Sequence, residues 1–387
     1  LLLFHPALAG CVQRIVQIAQ HRISNIVRDP VSIKASLMTQ TSEPDTNDAL
    51  TAKLERTPLA RVEAIAAQYF CIAGRASVLS SERDETFLIQ AAHGQRAILK
   101  IANTAERADV LTFQTDALRH LERKPLALPL PKPIPAYNGN FLLKLGFGSE
   151  QRFVRMLTFL DGVQLYKAPR SVPQIQALGR SLAQLGQALA DFRPEPLLQN
   201  LLWDICNAAA LRPLTSHVGE ARRSLVASAL DGFERLASSG FFGLPRQVIH
   251  NDFNPHNILV AADDPAEITG VIDFGDLVEA PLVNDLAVAL SYQAGGDDGM
   301  EAIVAMLQAY HAVRPLSADE LLALPCLLRT RLAMTVLIPE WRASLYPENR
   351  DYILRNHPAA LAGLIRLVDH SDEALAAFFR QTIGDLA

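Results

Sequence analysis

The sequence predicts an α+β protein of two lobes, a small β-rich N-terminal lobe over 58–160 and a larger helical C-terminal lobe over 161–387. Three observations predict it. Between Ser77 and Phe159 the apolar residues fall mostly in short strand-like runs, interrupted by one helical stretch. From Ile175 onward the spacing shifts to three and four, the period of helices that bury one stripe. Inside that helical part, 247–273 reads as a strand, a polar loop and a hairpin.

The elements follow in order. Residues 1–57 are expected to be an N-terminal extension outside the fold. Its first 37 residues carry Arg14, Arg22, Arg28 and Lys34 against one acid, Asp29, the balance of a transit peptide or of a dispensable segment. From Pro58 the residues Val62, Ile65, Ala66 and Tyr69 share a helical face. Ser77–Ser80, Thr86–Gln90 and Arg96–Ile101 read as strands, with a turn at His93-Gly94. A helix is expected over 104–121, with Val110, Leu111, Ala117, Leu118 and Leu121 on one side. Prolines at 125, 129, 131, 133 and 135 mark an extended connector. Asn138-Gly139 signals a hairpin turn into Phe141–Leu145, and 152–159 is a further strand. Asp161-Gly162 is the expected lobe boundary. Ile175, Leu178, Leu182, Leu185 and Leu189 then form an apolar stripe, 219–238 repeats the pattern, and helices run from 283 to the end.

The 387 residues are 49% apolar and 20% charged, enough for a sizeable core. The net charge is only −5 and the basic residues form no stripe, which argues against nucleic acid as a partner. Cys11, Cys71, Cys206 and Cys326 lie far apart without metal-ligand spacing, as expected of reduced thiols in a cytoplasmic protein. No run of about 18 apolar residues stands out, so no membrane-spanning helix and no membrane partner is expected.

The chemistry concentrates in VIHNDFNPHNILV (248–260) and ITGVIDFGD (268–276). Asp252 and Asn257 stand five apart in the polar loop, and the returning strand of the hairpin delivers Asp273 beside them. Phosphoryl transfer needs such a set. One carboxylate orients the attacking hydroxyl and accepts its proton, the part assigned to Asp252. One carboxylate and one amide oxygen hold magnesium against the phosphates, the part assigned to Asp273 and Asn257. Asp276 is read as a ligand for a second metal, a substrate contact, or a turn cap.

The pattern His-x-Asp-x-x-x-x-Asn, then Ile-Asp-Phe-Gly-Asp, then Asn-Asp-Leu-Ala resembles the aminoglycoside phosphotransferase and choline kinase superfamily. Within it, LSSERDETFLI (79–89), AILKIAN (97–103), LLWDICNAAALRP (201–213) and 268–292 look most like the hydroxylysine kinase group. The resemblance spans roughly 58–380. It implies a protein-kinase-like bilobed fold, ATP or GTP as donor, and Mg²⁺. It also implies that His250 braces the catalytic loop and that Asp285 holds it by accepting hydrogen bonds. Lys100 would contact the α- and β-phosphates, and the turn Ser80, Ser81, Glu82, Arg83 would cover them, although it lacks glycine. Phe159 and Leu160 would begin the hinge against the base. The helix residue expected to pair with Lys100 is best aligned with Gln114, with Glu106 and Asp116 as alternatives.

Only eleven residues separate Asp273 from Asp285, too few for a peptide platform, so a small-molecule acceptor is expected. Glu340 beside Trp341 is read as an ammonium site, and Arg329 with Arg331 as a carboxylate site. Both signs suit a substrate carrying hydroxyl and amine groups. Hydroxylysine leads by resemblance; homoserine, choline, ethanolamine, an aminoglycoside, or a silent nucleotide-binding module are the alternatives.

Overall fold

In the computed structural model, α1 (Leu59–Phe70) opens the fold and lies across a sheet made of β1 (Gly74–Leu79), β2 (Glu85–Ala91), β3 (Arg96–Ile101), β4 (Pro133–Ile134), β5 (Leu143–Phe147) and β6 (Glu150–Thr158). The structure describes residues 56–81, 84–195 and 201–384. The expectations for the N-terminal extension, and for Glu82 and Arg83, lie outside the described residues.

The strand order is β1-β2-β3-β6-β4, with β5 also on β6, and every pairing is antiparallel. Alternation decides which face is dry. Ala97, Leu99 and Ile101 of β3, with Val154 and Met156 of β6, pack against Val62, Ile65, Ala66 and Phe70 of α1. The residues between them point to the opposite face. The proline connector ends as β4 on the sheet edge, where a residue without an N–H breaks no ladder. The helix expected from 104 is α2 (Ala108–Glu122). It starts later because the Asn103 side chain accepts the Ala105 N–H at 3.0 Å and keeps that stretch in a turn. Its Phe113, Ala117, Leu118 and Leu121 join the core of the C-terminal lobe.

The chain then runs through β7 (Val163–Gln164), α3 (Val172–Leu189), a 3₁₀ run at Ile205–His217 and α4 (Glu220–Ser238). Next come β8 (Arg246–Ile249), β9 (Ile258–Val260), β10 (Ile268–Val271) and β11 (Val278–Pro281). Five larger helices and one short one close the chain: α5 (Val283–Ser291), α6 (Gly299–Val313), α7 (Ala318–Leu345), the short α8 (Arg350–Ile353), α9 (His357–Val368) and α10 (Asp372–Gly384). The 3₁₀ run and β11, which pairs with β8, carry no periodic signal in the sequence. At Gly162, φ is +148°, and a Cβ would stand 2.2 Å from Thr269 Oγ1, so glycine permits β7 to lie against β9.

Helix α7 is the axis of the larger lobe. Leu324, Leu327, Leu328, Leu332, Val336, Leu337 and Ile338 are fully buried. Among the described residues it is the one helix long and apolar enough to cross a membrane, a run the sequence expectation overlooked. Its most apolar window is 89% buried inside the fold, the place of a core helix.

Candidate active site

The loop 250–257 leaves β8, and β9–β10 return beside it. The register Ile258↔Val271 and the hydrogen bond from Ile272 N–H to the Asn257 carbonyl (2.8 Å) bring Asn257 and Asp273 to adjoining positions. Two carboxylate contacts hold the start of the loop. Asp285 of α5 accepts the His250 N–H at 3.0 Å and the Asn251 N–H at 2.7 Å. Asn251 has φ +63° and Asp273 φ +60°, so both flanks of the site use the left-handed region that non-glycine residues seldom adopt.

His250 is fully buried, and burial pushes its pKa down, which keeps the imidazole neutral. Its Nδ1 accepts the Asp252 N–H at 3.3 Å, so Nε2 carries the proton and donates to the Ile272 carbonyl at 3.2 Å. The ring packs edge-on against Phe274 (4.8 Å) and Phe253 (6.2 Å). One side chain thus ties the loop to the segment that carries Asp273.

Asp252 is fixed through both oxygens. Asn254 Nδ2 donates to Oδ1 at 2.8 Å and Asn257 Nδ2 donates to Oδ2 at 2.6 Å. Arg331 Nη2 stands 3.9 Å from Oδ1. Burial and the neighbouring Asp276 carboxylate push Asp252 up to about 7, against the pull of Arg331. Asn257 commits its amide nitrogen to Asp252, which leaves its Oδ1 for a cation. That oxygen and the Asp273 carboxylate are hard donors in the small number magnesium takes from protein. Among the described residues no group of three or more His, Cys, Asp and Glu gathers as a metal cluster.

Opposite this hairpin, Lys100 Nζ lies 3.7 Å from Asp273 Oδ1 and 3.6 Å from Asp84 Oδ2. The anticipated pairing with Gln114 is not found. Gln114 Nε2 instead donates to the Gly275 carbonyl at 3.0 Å, tying α2 to the segment after Asp273. Asp116 faces Arg119, and Glu106 lines the cleft. Asp84 follows the turn rather than sitting on the helix where the resemblance placed the partner.

These groups line a cleft of about 560 Å³, a size that suits a small-molecule site. Ser80, Ser81, Asp84, Lys100 and Arg155 line its N-lobe side; Asp252, Asn257, Asp273 and Asp276 line its floor. Trp203, Tyr292, Arg331, Thr335, Arg342 and Arg355 line the remaining wall. Phe159 and Leu160 do not line it: Phe159 lies under the Arg96 guanidinium (4.5 Å) and Leu160 rests against Gly270.

Three of the proposed substrate residues are placed elsewhere. Glu340 accepts the Gly219 N–H (2.9 Å) and Arg222 Nε (2.8 Å) and meets His357 Nε2 (2.7 Å), and neither it nor Trp341 lines the cleft. Arg329 bonds Asp372 and the carbonyls of Leu367 and His370, anchoring α9 and α10. Residues two apart on a helix point in nearly opposite directions, so Arg329 and Arg331 cannot share a ligand. Arg331, 1% exposed, stays in the cleft, with Nη1 donating to the Trp203 carbonyl at 2.5 Å and its guanidinium over the Trp203 ring. Asn254, Asp84, Arg155, Arg342 and Arg355 went unnoticed in the sequence. Helical period from Arg331 would have found Arg342, eleven residues on.

Residues 75–324 match the family described as "Phosphotransferase enzyme family". Hydroxylysine kinase of Mus musculus is 25% identical over 337 residues, covering 79% of this chain and 87% of its own. Homoserine kinase of Rhizobium etli is 30% identical over 274 residues, covering 66% and 79%. A microcompartment-associated aminopropanol kinase superposes with a TM-score of 0.66 at 19% identity, over 82% of this chain and 99% of its own. An amicoumacin kinase solved with AMP-PNP, Ca²⁺ and Ami gives 0.61 at 15% identity, over 84% and 100%. The fold is the kinase-like fold of these structures. The protein is a phosphotransferase with an alcohol group as acceptor, a small-molecule kinase. The chain belongs to the phosphotransferase enzyme family.

Proposed function

We propose that this protein transfers the γ-phosphoryl group of ATP or GTP to the hydroxyl of a hydroxy amino acid, hydroxylysine first and homoserine as the alternative. One observation carries the choice of acceptor. The wall beside Asp252 is lined by Arg331, Arg342 and Arg355, while Asp252 and Asp276 lie on the floor. Guanidinium groups suit a carboxylate and carboxylates suit an ammonium, so a zwitterion carrying a hydroxyl meets both signs. Choline, ethanolamine and aminoglycosides bring cationic charge and no carboxylate to those arginines. The hydroxylysine and homoserine kinases among the relatives support the same class.

The residues divide the chemistry. Asp252, held by Asn254 and Asn257, orients the hydroxyl and takes its proton as the oxygen attacks phosphorus. A base with a pKa near neutrality can hold that proton and release it later. Asn257 and Asp273 would hold Mg²⁺, which when bound draws charge off the phosphates. Lys100 and the Ser80–Ser81 segment line the N-lobe side of the cleft, where they would contact the phosphates. Arg331 holds the acceptor carboxylate at a fixed distance from Asp252.

A turnover screen tests this reading, with ATP and GTP against hydroxylysine, homoserine, 1-amino-2-propanol, choline, ethanolamine and kanamycin. The expected result is a kcat/KM for hydroxylysine or homoserine about tenfold or more above every acceptor lacking a carboxylate. Equal or better turnover of choline or kanamycin would refute the acceptor class. No consumption of either nucleotide with any acceptor would favour a silent binding module.

A further inference from the structure

Lys100 of β3 and Arg155 of β6 are register partners on the sheet. Their neighbours Leu99, Ile101, Val154 and Met156 face the dry core, so both cations stand on the opposite face, over the cleft, and both line it. Like charges directly opposite on a sheet repel, so the pair is not there for the stability of the sheet. Asp84 answers both from one oxygen, Oδ2, at 3.6 Å from Lys100 Nζ and 3.7 Å from Arg155 Nη2. Both separations exceed hydrogen-bond length.

Arg152, on the same strand, shows what a structural arginine looks like here. It is 3% exposed and donates to the carbonyls of Ala102 (2.8 Å) and Ile101 (3.4 Å) and to Glu85 (2.6 Å). Arg155 is 8% exposed, and Asp84 answers its guanidinium only at 3.7 Å, beyond hydrogen-bond length. A guanidinium that lines the cleft without a close acceptor is stabilised when a ligand supplies one. The acceptor must be anionic, rich in oxygen, and must reach Lys100 as well. A polyphosphate chain has these properties, and the guanidinium fork matches phosphate oxygens in pairs.

We infer that Arg155 is a second phosphate-binding cation, gripping the polyphosphate of the nucleotide together with Lys100, while Asp84 holds the two cations in place. The inference rests on the nucleotide reading of the cleft given above. It assigns Arg155 a contact with the donor's phosphates, and none with the base or the acceptor.

The test is displacement of a fluorescent ATP or GTP analogue by nucleoside, diphosphate and triphosphate, with Mg²⁺ and without acceptor. Arg155→Met, which keeps the apolar stem, is expected to weaken triphosphate and diphosphate by on the order of tenfold to a hundredfold. Nucleoside affinity should stay within about twofold, because only phosphate contacts are removed. Arg155→Lys, which keeps charge without the fork, should lose severalfold for triphosphate and diphosphate and leave the nucleoside unmoved. It carries the test alone if Arg155→Met does not fold. A loss shared equally by nucleoside and triphosphate, or no loss in either variant, would overturn the assignment. A native chain that binds neither analogue would instead overturn the nucleotide reading, and the clamp with it.

Discussion

Replacing Asp285 probes how the reactive loop is held. Its carboxylate is 1% exposed and accepts two backbone N–H groups, those of His250 and Asn251. Burial raises its pKa, while those two N–H bonds and the charge of Arg331 pull the other way. Asp285→Ala orphans two buried donors at about 1–3 kcal/mol each. Relief of a buried charge offsets part of that, leaving a loss of about 3 kcal/mol. Asp285→Asn keeps one acceptor and points an NH₂ group at the other donor, for a loss of about 2 kcal/mol. Asn251, at φ +63°, then has less to hold it, and Asp252 follows it out of position. Urea unfolding and steady-state turnover read the two effects. The order expected is native, then Asn, then Ala, in both stability and kcat, with the nucleotide KM changing less than kcat. An Ala variant within about 0.5 kcal/mol of native and with native turnover would refute the reasoning.

Further outcomes follow from other contacts. Gly162→Ala places a Cβ 2.2 Å from Thr269 Oγ1 at a φ of +148°, and should cost about 2–3 kcal/mol, read as a lower Tm; an unshifted melt contradicts the close approach of β7 to β9. Arg329→Ala should lower stability by about 2 kcal/mol through its lost bonds to Asp372, Leu367 and His370, and leave the acceptor KM unchanged. Arg331→Lys should raise the acceptor KM about tenfold, since a lysine lacks the paired donors; an unchanged KM removes Arg331 from the acceptor site. Asn257→Ala should raise the Mg²⁺ concentration for half-maximal rate about tenfold or more, measured by titration; an unmoved titration removes Asn257 as a ligand.

The reactive segments were legible because their geometry is local. Four residues of loop separate Asp252 from Asn257, and a tight hairpin fixes where Asp273 returns, so spacing sufficed. The part of Asp285 was implied by the resemblance of Asn-Asp-Leu-Ala to the family's pattern, not by spacing. What went unread depends on distant pieces of chain. The resemblance placed the partner of Lys100 on the helical stretch after β3, but the pairing Thr86↔Lys100 brings the strand preceded by Asp84 alongside it. Arg155 enters through strand register, which no local pattern announces. On α7 the misreading was of phase. Arg331, Thr335, Pro339 and Arg342 repeat at steps of four, four and three and line the cleft. Glu340, nine residues from Arg331, falls on the far side, where Arg222 and His357 engage it.

The central claim is that the Asp252 carboxylate takes the proton from the acceptor hydroxyl. The direct measurement is turnover of Asp252→Ala with the preferred nucleotide and acceptor, alongside nucleotide binding by the same variant. The account predicts a loss of on the order of a hundredfold to ten-thousandfold in kcat with nucleotide binding retained. Triphosphate consumption at the native rate would contradict it.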